Sequence, residues 1–370
     1  MEYKKKMKIC FFCGDITRRG GVEKVVCELC SELSKKKEID IQILSLGNSF
    51  TQIFFELSKH VRVDIVSKDI EVKKSSMLSN MFTIFKYLRK NSIDILINVD
   101  VMLGMYTLPL KLFLKTKIIA WEHFGFHSNI GSKHTDMIRR LSVKYCDYFI
   151  NLTQKDLLDF KEHYKVKCPI KAIYNPFCVT SKIVQYNLES KIIISVGNFY
   201  DVKGFDMIIP IGKQIFTKHP EWKWIVLGDG EKYEQIKQEV LEEKLEKKIL
   251  LPGRVKNVQE FLEKSAIFAL TSRQESFGLV LLEAQSAKLP VVAFDVPQGP
   301  AEIIKNGYNG FLIKAFDLME YGKKLCELIE NTGLRNEFSE CSKENLVRFD
   351  INIIAQEWIN VFEELVDGRK

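Results

Sequence analysis

Residues 266–297, AIFALTSRQESFGLVLLEAQSAKLPVVAFDVP, hold one full period of the chain's organisation. A short apolar run (AIFALT) enters a polar loop (SRQESFG). An apolar-rich helical stretch (LVLLEAQSAK) follows, and then a second apolar run (LPVVAFDV). The runs are continuously apolar rather than alternating, as expected of strands buried on both faces of a parallel sheet. A helix between two such strands is the crossover that parallel pairing requires. Working outward, GFLI follows on one side, and KKILLPG, KWIVLGDG and KIIISVGN precede on the other. The same grammar runs through the first half: KICFFC as a strand, ITRRGGVE as a glycine loop, VEKVVCELCSELSKK as an amphipathic helix. IDIQILSL, IDILINV, TKIIAWEH and YFINLT then read as further short strands. A polar stretch at residues 181–190, SKIVQYNLES, reads as a linker. The prediction is an α/β chain of two similar domains, 1–180 and 187–348. A last helix, residues 349–370, packs across the domain junction. Ligands of such sheets bind outside the carboxyl ends of the strands, so the expected site is a cleft between the domains.

Composition agrees and excludes other classes. The 370 residues suit two domains of ordinary size, and 46% hydrophobic with 28% charged residues is the balance of a globular protein. No apolar run reaches the roughly 18 residues of a membrane helix. The best, VMLGMYTLPLKLFL at 101–114, is broken by Pro109 and Lys111. The start, MEYKKKMKIC, runs straight into a strand with no separate apolar signal core, so the expected location is cytoplasmic. Cys10-x-x-Cys13 and Cys27-x-x-Cys30 have zinc-ribbon spacing, but the first pair ends a strand, where positions three apart face opposite ways. The second pair sits on a helix facing the core. All four read as small buried hydrophobes, and nine thiols without a short disulfide framework fit a reducing compartment.

Four strand-end loops carry candidate chemistry. Arg18-Arg19-Gly20-Gly21-Val22-Glu23 leads from strand one into a helix. Paired glycines let a phosphate approach a helix N-terminus there, though a tight turn explains them equally well. In SVGNFYDVKGFDMII, Lys203 follows the strand ending at Gly197 and can meet a diphosphate as a point charge. The quoted 266–297 stretch offers the Ser276-Phe277-Gly278-Leu279 backbone at a helix N-terminus, with Glu275 before that helix and Glu283 on it. On a continuous helix eight residues span about 12 Å, too far for two carboxylates to share one bond. The pair suits opposite ends of an elongated, hydroxyl-rich ligand. Trp121-Glu122-His123 ends the strand TKIIAWEH, where His123 can orient a ligand.

Together these pieces resemble the GT-B glycosyltransferases of the family 4 (glycosyl transferases group 1) type. GGVE, WEH, VGNFYDVKGFD, VLGDGE, LPGRVKNV, Glu275-x7-Glu283 in ESFGLVLLEA, LPVVAFDVPQGPAEII and NGYNGFLI occur in that order. The resemblance covers nearly the whole chain and is most specific over residues 190–313. It implies two Rossmann-like domains with a central cleft and a C-terminal crossover helix. It also implies a retaining transfer of a hexose or N-acetylhexosamine from a nucleotide diphospho-sugar, with UDP the favoured nucleotide, to a glycan or lipid-linked glycan acceptor in surface polysaccharide synthesis. Carried over position by position, Glu275, His123 and Lys203 are the catalytic set. Glu283 meets the ribose, and Gly21, Ser276, Phe277, Gly278 and Leu279 meet the diphosphate and sugar. Arg254 and Val255 lie at the base. Asn198 stands where such proteins often have an arginine, so either Arg254, Arg273 or Arg18 supplies the second cation or the leaving group is less stabilised. No two aspartates stand at D-x-D spacing, so departure of the leaving group is expected to need no metal or other cofactor.

Charge is uneven. Residues 1–185 hold 31 Lys/Arg and 19 Asp/Glu, a surplus of 12; residues 186–370 hold 24 and 29, a deficit of 5, which together give the net +7. A basic first half suits an anionic partner. Met77 to Lys90, MLSNMFTIFKYLRK, reads as a basic amphipathic helix, with Met77, Met81, Ile84, Phe85 and Leu88 on one face. It fits either an anionic membrane surface, on the inner face of the cell membrane, or an ordinary core-packed crossover. Nucleic acid is disfavoured, since no recognition motif accompanies the charge. Two alternatives to a transferase stay open: a nucleotide-sugar epimerase of the same fold, and a non-catalytic nucleotide-sugar-binding subunit.

Overall fold

The computed structural model describes residues 6–67, 76–128, 132–178 and 184–367. The first residues of the expected linker, 181–183, lie outside them. The chain forms two compact units, Met1–Cys178 with Phe349–Lys370, and Val179–Arg348.

The first unit runs β1 (Met7–Cys13), α1 (Gly21–Leu33), β2 (Ile39–Ser45), β3 (Arg62–Ile65), α2 (Met77–Asn91) and β4 (Ile95–Val99). It continues through α3 (Gly104–Thr107), β5 (Lys117–Trp121), α4 (Lys133–Tyr145), β6 (Tyr148–Asn151), α5 (Gln154–His163) and β7 (Ile170–Ala172). Its seven strands are all parallel, in the order β3-β2-β1-β4-β5-β6-β7. β3 and β7 are the two strands the sequence reading leaves out, and both are edges. β3 is four half-exposed residues, RVDI, and β7 is three, so neither has the buried apolar run that marks the inner strands.

The second unit runs β8 (Ile192–Val196), α6 (Ile208–Lys218), β9 (Lys223–Leu227), α7 (Tyr233–Glu242), β10 (Ile249–Gly253) and α8 (Val258–Glu263). It continues through β11 (Ile267–Leu270), α9 (Leu279–Ser286), β12 (Val291–Asp295), α10 (Gly299–Ile303), β13 (Gly310–Lys314), α11 (Leu318–Glu330) and α12 (Thr332–Glu344). Its sheet is also parallel, in the order β10-β9-β8-β11-β12-β13. Both sheets therefore reverse direction beside their first strand, at β1/β4 and β8/β11. In doubly wound sheets that reversal leaves a crevice at the carboxyl ends of the strands.

The last helix, α13 (Ile351–Asp367), belongs to the first unit rather than forming a separate element. Alternation along β1 explains its seat. Cys10 and Phe12 face a core with Ile84, Leu88 and Leu96, while Phe11 on the other face meets Trp358 of α13 at 6.2 Å between ring centroids. Trp358 in turn packs at 4.8 Å on Trp121, the last residue of β5. Cys10, Cys13, Cys27 and Cys30 are all buried free thiols, and burial pushes each of them up from the ordinary thiol range.

α2 keeps the helix expected at 77–90 but settles which of its faces is used. Ile84 and Leu88 are buried, and Met81 and Phe85 pack against the same core, so the apolar face is a crossover face. Leu78 and Phe82 point outward instead, with Lys86 above the Phe82 ring at 4.2 Å.

Candidate active site

The second unit places its site residues on the loops after β8 and β11, the two strands flanking the reversal. After Gly197, Asn198 is exposed, and the chain turns through Asp201–Lys203 to Gly204. Gly204 has φ +62, and a Cβ there would lie 2.2 Å from the Thr271 carbonyl. Only glycine lets this loop press against the end of β11, and that approach delivers Lys203 to Glu275. The Lys203 ammonium donates to Glu275 Oε1, to which Ser272 Oγ also donates at 2.8 Å. The Glu275 side chain is largely buried, and the backbone around it is braced, its carbonyl accepting from Gly299 N–H at 3.1 Å.

Beyond Glu275, Ser276 and Phe277 lead into Gly278, whose φ of +92 turns the chain into α9. Leu279 is the first helical residue, so the loop ends at a helix N-terminus, where the helix dipole favours an anion. Glu283 sits half-buried on the second turn of α9, while Glu275 precedes the helix. Arg254, just past β10, is exposed and forms no ion pair among the described residues; Val255 beside it is half-buried.

Arg273 is committed elsewhere. Its guanidinium holds Asp206 through two bonds of 2.8 and 2.6 Å and also donates to the Asp201 carbonyl, which keeps the Asp206 carboxyl below its usual range. It lines a 310 Å³ pocket with Tyr200, Asp201 and Lys232, to which neither Lys203 nor Glu275 contributes. Of the three arginines expected to offset Asn198, Arg18 pairs with Asp15 at 3.6 Å, leaving Arg254 unengaged.

In the first unit, Gly21 opens α1 behind Gly20. The carboxyl of Glu23 folds back over this N-terminus, and burial raises its pKa, the N–H groups of Glu23 and Gly20 offsetting only part of the rise. The anion at this helix end is thus the protein's own. His123 follows β5 and is 5% exposed, its ring 4.2 Å from that of Trp121. Its Nε2 has no hydrogen-bond partner among the described residues, and burial lowers its pKa to about 3, so the imidazole is neutral at physiological pH.

Both halves of the chain match known families: residues 180–345 match Glycosyl transferases group 1, and residues 19–179 match Glycosyltransferase Family 4. The chain is a GT-B glycosyltransferase of the family 4 type. An uncharacterized glycosyltransferase of Haemophilus influenzae is 29% identical to it, over 95% of this chain and 98% of that one. A Campylobacter jejuni enzyme named as an α-1,4-N-acetyl-D-galactosaminyltransferase acting on a GalNAc-containing diNAcBac-PP-undecaprenol is 24% identical, over 97% and 99%. The Anabaena protein HepE, solved in complex with UDP, superposes with a TM-score of 0.79 at 18% identity, covering 97% of this chain and 100% of that one.

Two features of this glycosyltransferase escape the sequence reading. Asp100, next after β4 at the reversal of the first sheet, has φ +108, a strained conformation for a residue with a Cβ, and burial raises its carboxyl pKa. Its only signal in the sequence is a lone acid after an apolar run. Glu122, inside the WEH motif, is fully buried and paired with Arg139, 17 residues away on α4, at 2.9 Å. Nothing in the local pattern of KHTDMIRRLSVKY marks Arg139 as buried.

Proposed function

We propose that the enzyme transfers a hexose or N-acetylhexosamine from a UDP-sugar, with retention of anomeric configuration, to a glycan or lipid-linked glycan acceptor in surface polysaccharide synthesis. The observation that carries the donor reading is the Lys203–Ser272–Glu275 cluster beside the N-terminus of α9. Cleaving the bond from the anomeric carbon to the β-phosphate leaves an electron pair on the diphosphate. Lys203 and the N–H groups at Phe277–Leu279 supply positive charge where that pair collects, without a metal ion. Glu275 then turns to the hydroxyls of the transferred sugar, and Glu283 to the ribose. The acceptor oxygen attacks from the leaving-group face and its proton passes to the departing phosphate. His123, neutral, gives the sugar a hydrogen bond rather than a charge. The Campylobacter relative supports a lipid-linked acceptor, and the UDP in HepE supports the choice of base.

A membrane reading belongs to the same proposal. Its surface is not the apolar face of α2, which is spent on the core, but the outward Leu78 and Phe82 of α2 together with Leu112 and Phe113, which are 86% and 72% exposed, Phe113 lying by Arg89 at the end of α2. Lys86, Arg89, Lys90 and Lys115 flank it, the combination that binds anionic bilayers, and the enzyme works there as a peripheral protein on the cytoplasmic face.

The test is release of UDP from UDP-glucose, UDP-galactose and their N-acetyl analogues, with and without undecaprenyl-diphosphate-linked glycans and with EDTA present. Acceptor-dependent turnover of one donor is expected. Acceptor-free interconversion of the sugars would make the protein an epimerase, and binding without turnover would make it a donor-binding subunit.

A further inference from the structure

Arg139 is 3% exposed, and its guanidinium is almost entirely spent on one loop. Nε donates to Glu122 Oε2 at 2.9 Å, Nη2 to the Gly125 carbonyl at 2.6 Å, and Nη1 to the carbonyls of Phe126 at 2.9 Å and Ser128 at 3.4 Å. The loop is tied from the other side as well. The second Glu122 oxygen accepts from Phe124 N–H at 3.1 Å, and Phe126 N–H donates to Asp156 at 2.5 Å. Asp156 is itself fixed by Asn151 at 2.7 Å and by the Thr153 cap of α5.

His123 stands between Glu122 and Phe124, inside the turn that the Glu122 carboxylate closes, with the Trp121 ring against its own. The ring, whose Nε2 is buried without a hydrogen-bond partner among the described residues, is therefore placed by a backbone that Arg139 holds at three carbonyls and a carboxylate. As a source of stability this is an inefficient arrangement. Desolvating a guanidinium and a carboxylate costs about what their attraction returns, and apolar side chains of similar size often fold as well. What the fork geometry does supply is a fixed position for several acceptors at once.

We propose that Arg139, through Glu122, is the positioning residue of the transferase: it sets where His123 presents its imidazole to the substrate. The inference rests on the reading of His123 as a substrate-facing group, and the experiment separates the two.

Arg139→Met alone leaves a buried unpaired carboxylate and can unfold the first unit, so the informative variant is Arg139→Met/Glu122→Met, which removes both charges and keeps the volume. It is compared with the full-length wild type and with His123→Ala for thermal midpoint, UDP release from the four UDP-sugars, and imidazole 15N signals. The double variant is expected to melt within about 5 °C of wild type. Its kcat should fall roughly 10- to 100-fold with donor KM unchanged, the scale of a displaced catalytic group. The His123 15N signals should shift away from their wild-type positions. Adding His123→Ala to the double variant should cost little more. Wild-type kcat together with wild-type His123 signals in the double variant would overturn the proposal. A His123→Ala enzyme with full kcat would instead remove the role of His123 itself, and this inference with it.

Discussion

The two sheets share one topology but arm their carboxyl edges by opposite means. In the second unit the edge is built from close-packed backbone: Gly204 lets one loop press against the end of β11 and Gly278 turns the next loop into α9, which sets Lys203 and Glu275 beside a helix N-terminus. In the first unit the edge is built from buried charge. Arg139, Glu122 and Asp156 lie under the loop that carries a neutral, nearly inaccessible His123, and a strained Asp100 ends the adjacent strand. The difference suits the two tasks proposed for these edges. A diphosphate donor brings its own charge and is met by N–H groups and a cation at an accessible edge. A hydrogen bond to an uncharged hydroxyl depends on direction, which a braced, desolvated imidazole provides.

The largest effect that can break this contrast lies at the donor edge. Glu275→Ala is expected to lower kcat for UDP-sugar turnover about 10³-fold, and Lys203→Ala about 10²- to 10³-fold, with the fold intact by circular dichroism. An unaffected rate in either would detach that side chain from the chemistry. Next comes the basic flank of the first unit. Replacing Lys86, Arg89 and Lys90 with Gln should weaken sedimentation with phosphatidylglycerol vesicles about 10²-fold, and unchanged binding would remove the membrane from the account.

A paired glycine substitution then compares the two edges as backbone. Gly204→Ala, at φ +62 and against the Thr271 carbonyl, should lose about 1–3 kcal/mol in urea unfolding. Gly14→Ala in the first unit, where a Cβ would meet nothing within 4 Å, should change stability little. Equal effects would mean that the glycine packing of the second edge does not matter.

The smallest effect concerns His123. Its folded pKa of about 3 lies below the unfolded value near 6.5, so acidification loads a proton on the unfolded chain before the folded one. Stability from this source is full above pH 6.5 and falls as pH drops toward 3. Between pH 7 and pH 5 the wild type should lose about 2 kcal/mol more than His123→Asn. Identical losses would show that the imidazole is neither buried nor neutral.

What the sequence discloses follows the same divide. Inner strands are legible because both faces are buried, which produces runs such as KICFFC and LPVVAFDV; β3 and β7, half-exposed edges of four and three residues, leave no such run. Lys203, Glu275 and Gly278 are legible because the loops that carry them are short and continuous in sequence. Arg139 is not, since its partners lie 11 to 17 residues away and its helix reads as polar. The seat of α13 is hidden for a similar reason: its periodicity marks a buried face, but only the tertiary fold brings Trp358 back to Phe11 and Trp121. The apolar face of α2 shows the converse, since an amphipathic pattern fits a core or a bilayer and only packing distinguishes them.

The most direct test of the donor assignment is a calorimetric titration of UDP into the wild type and into Glu283→Ala. UDP is expected to bind 1:1 to the wild type and about 10- to 100-fold more weakly to the variant, through the loss of charge-assisted hydrogen bonds to the ribose. Equal affinity in both proteins, or a wild type that binds GDP or ADP and not UDP, would contradict it.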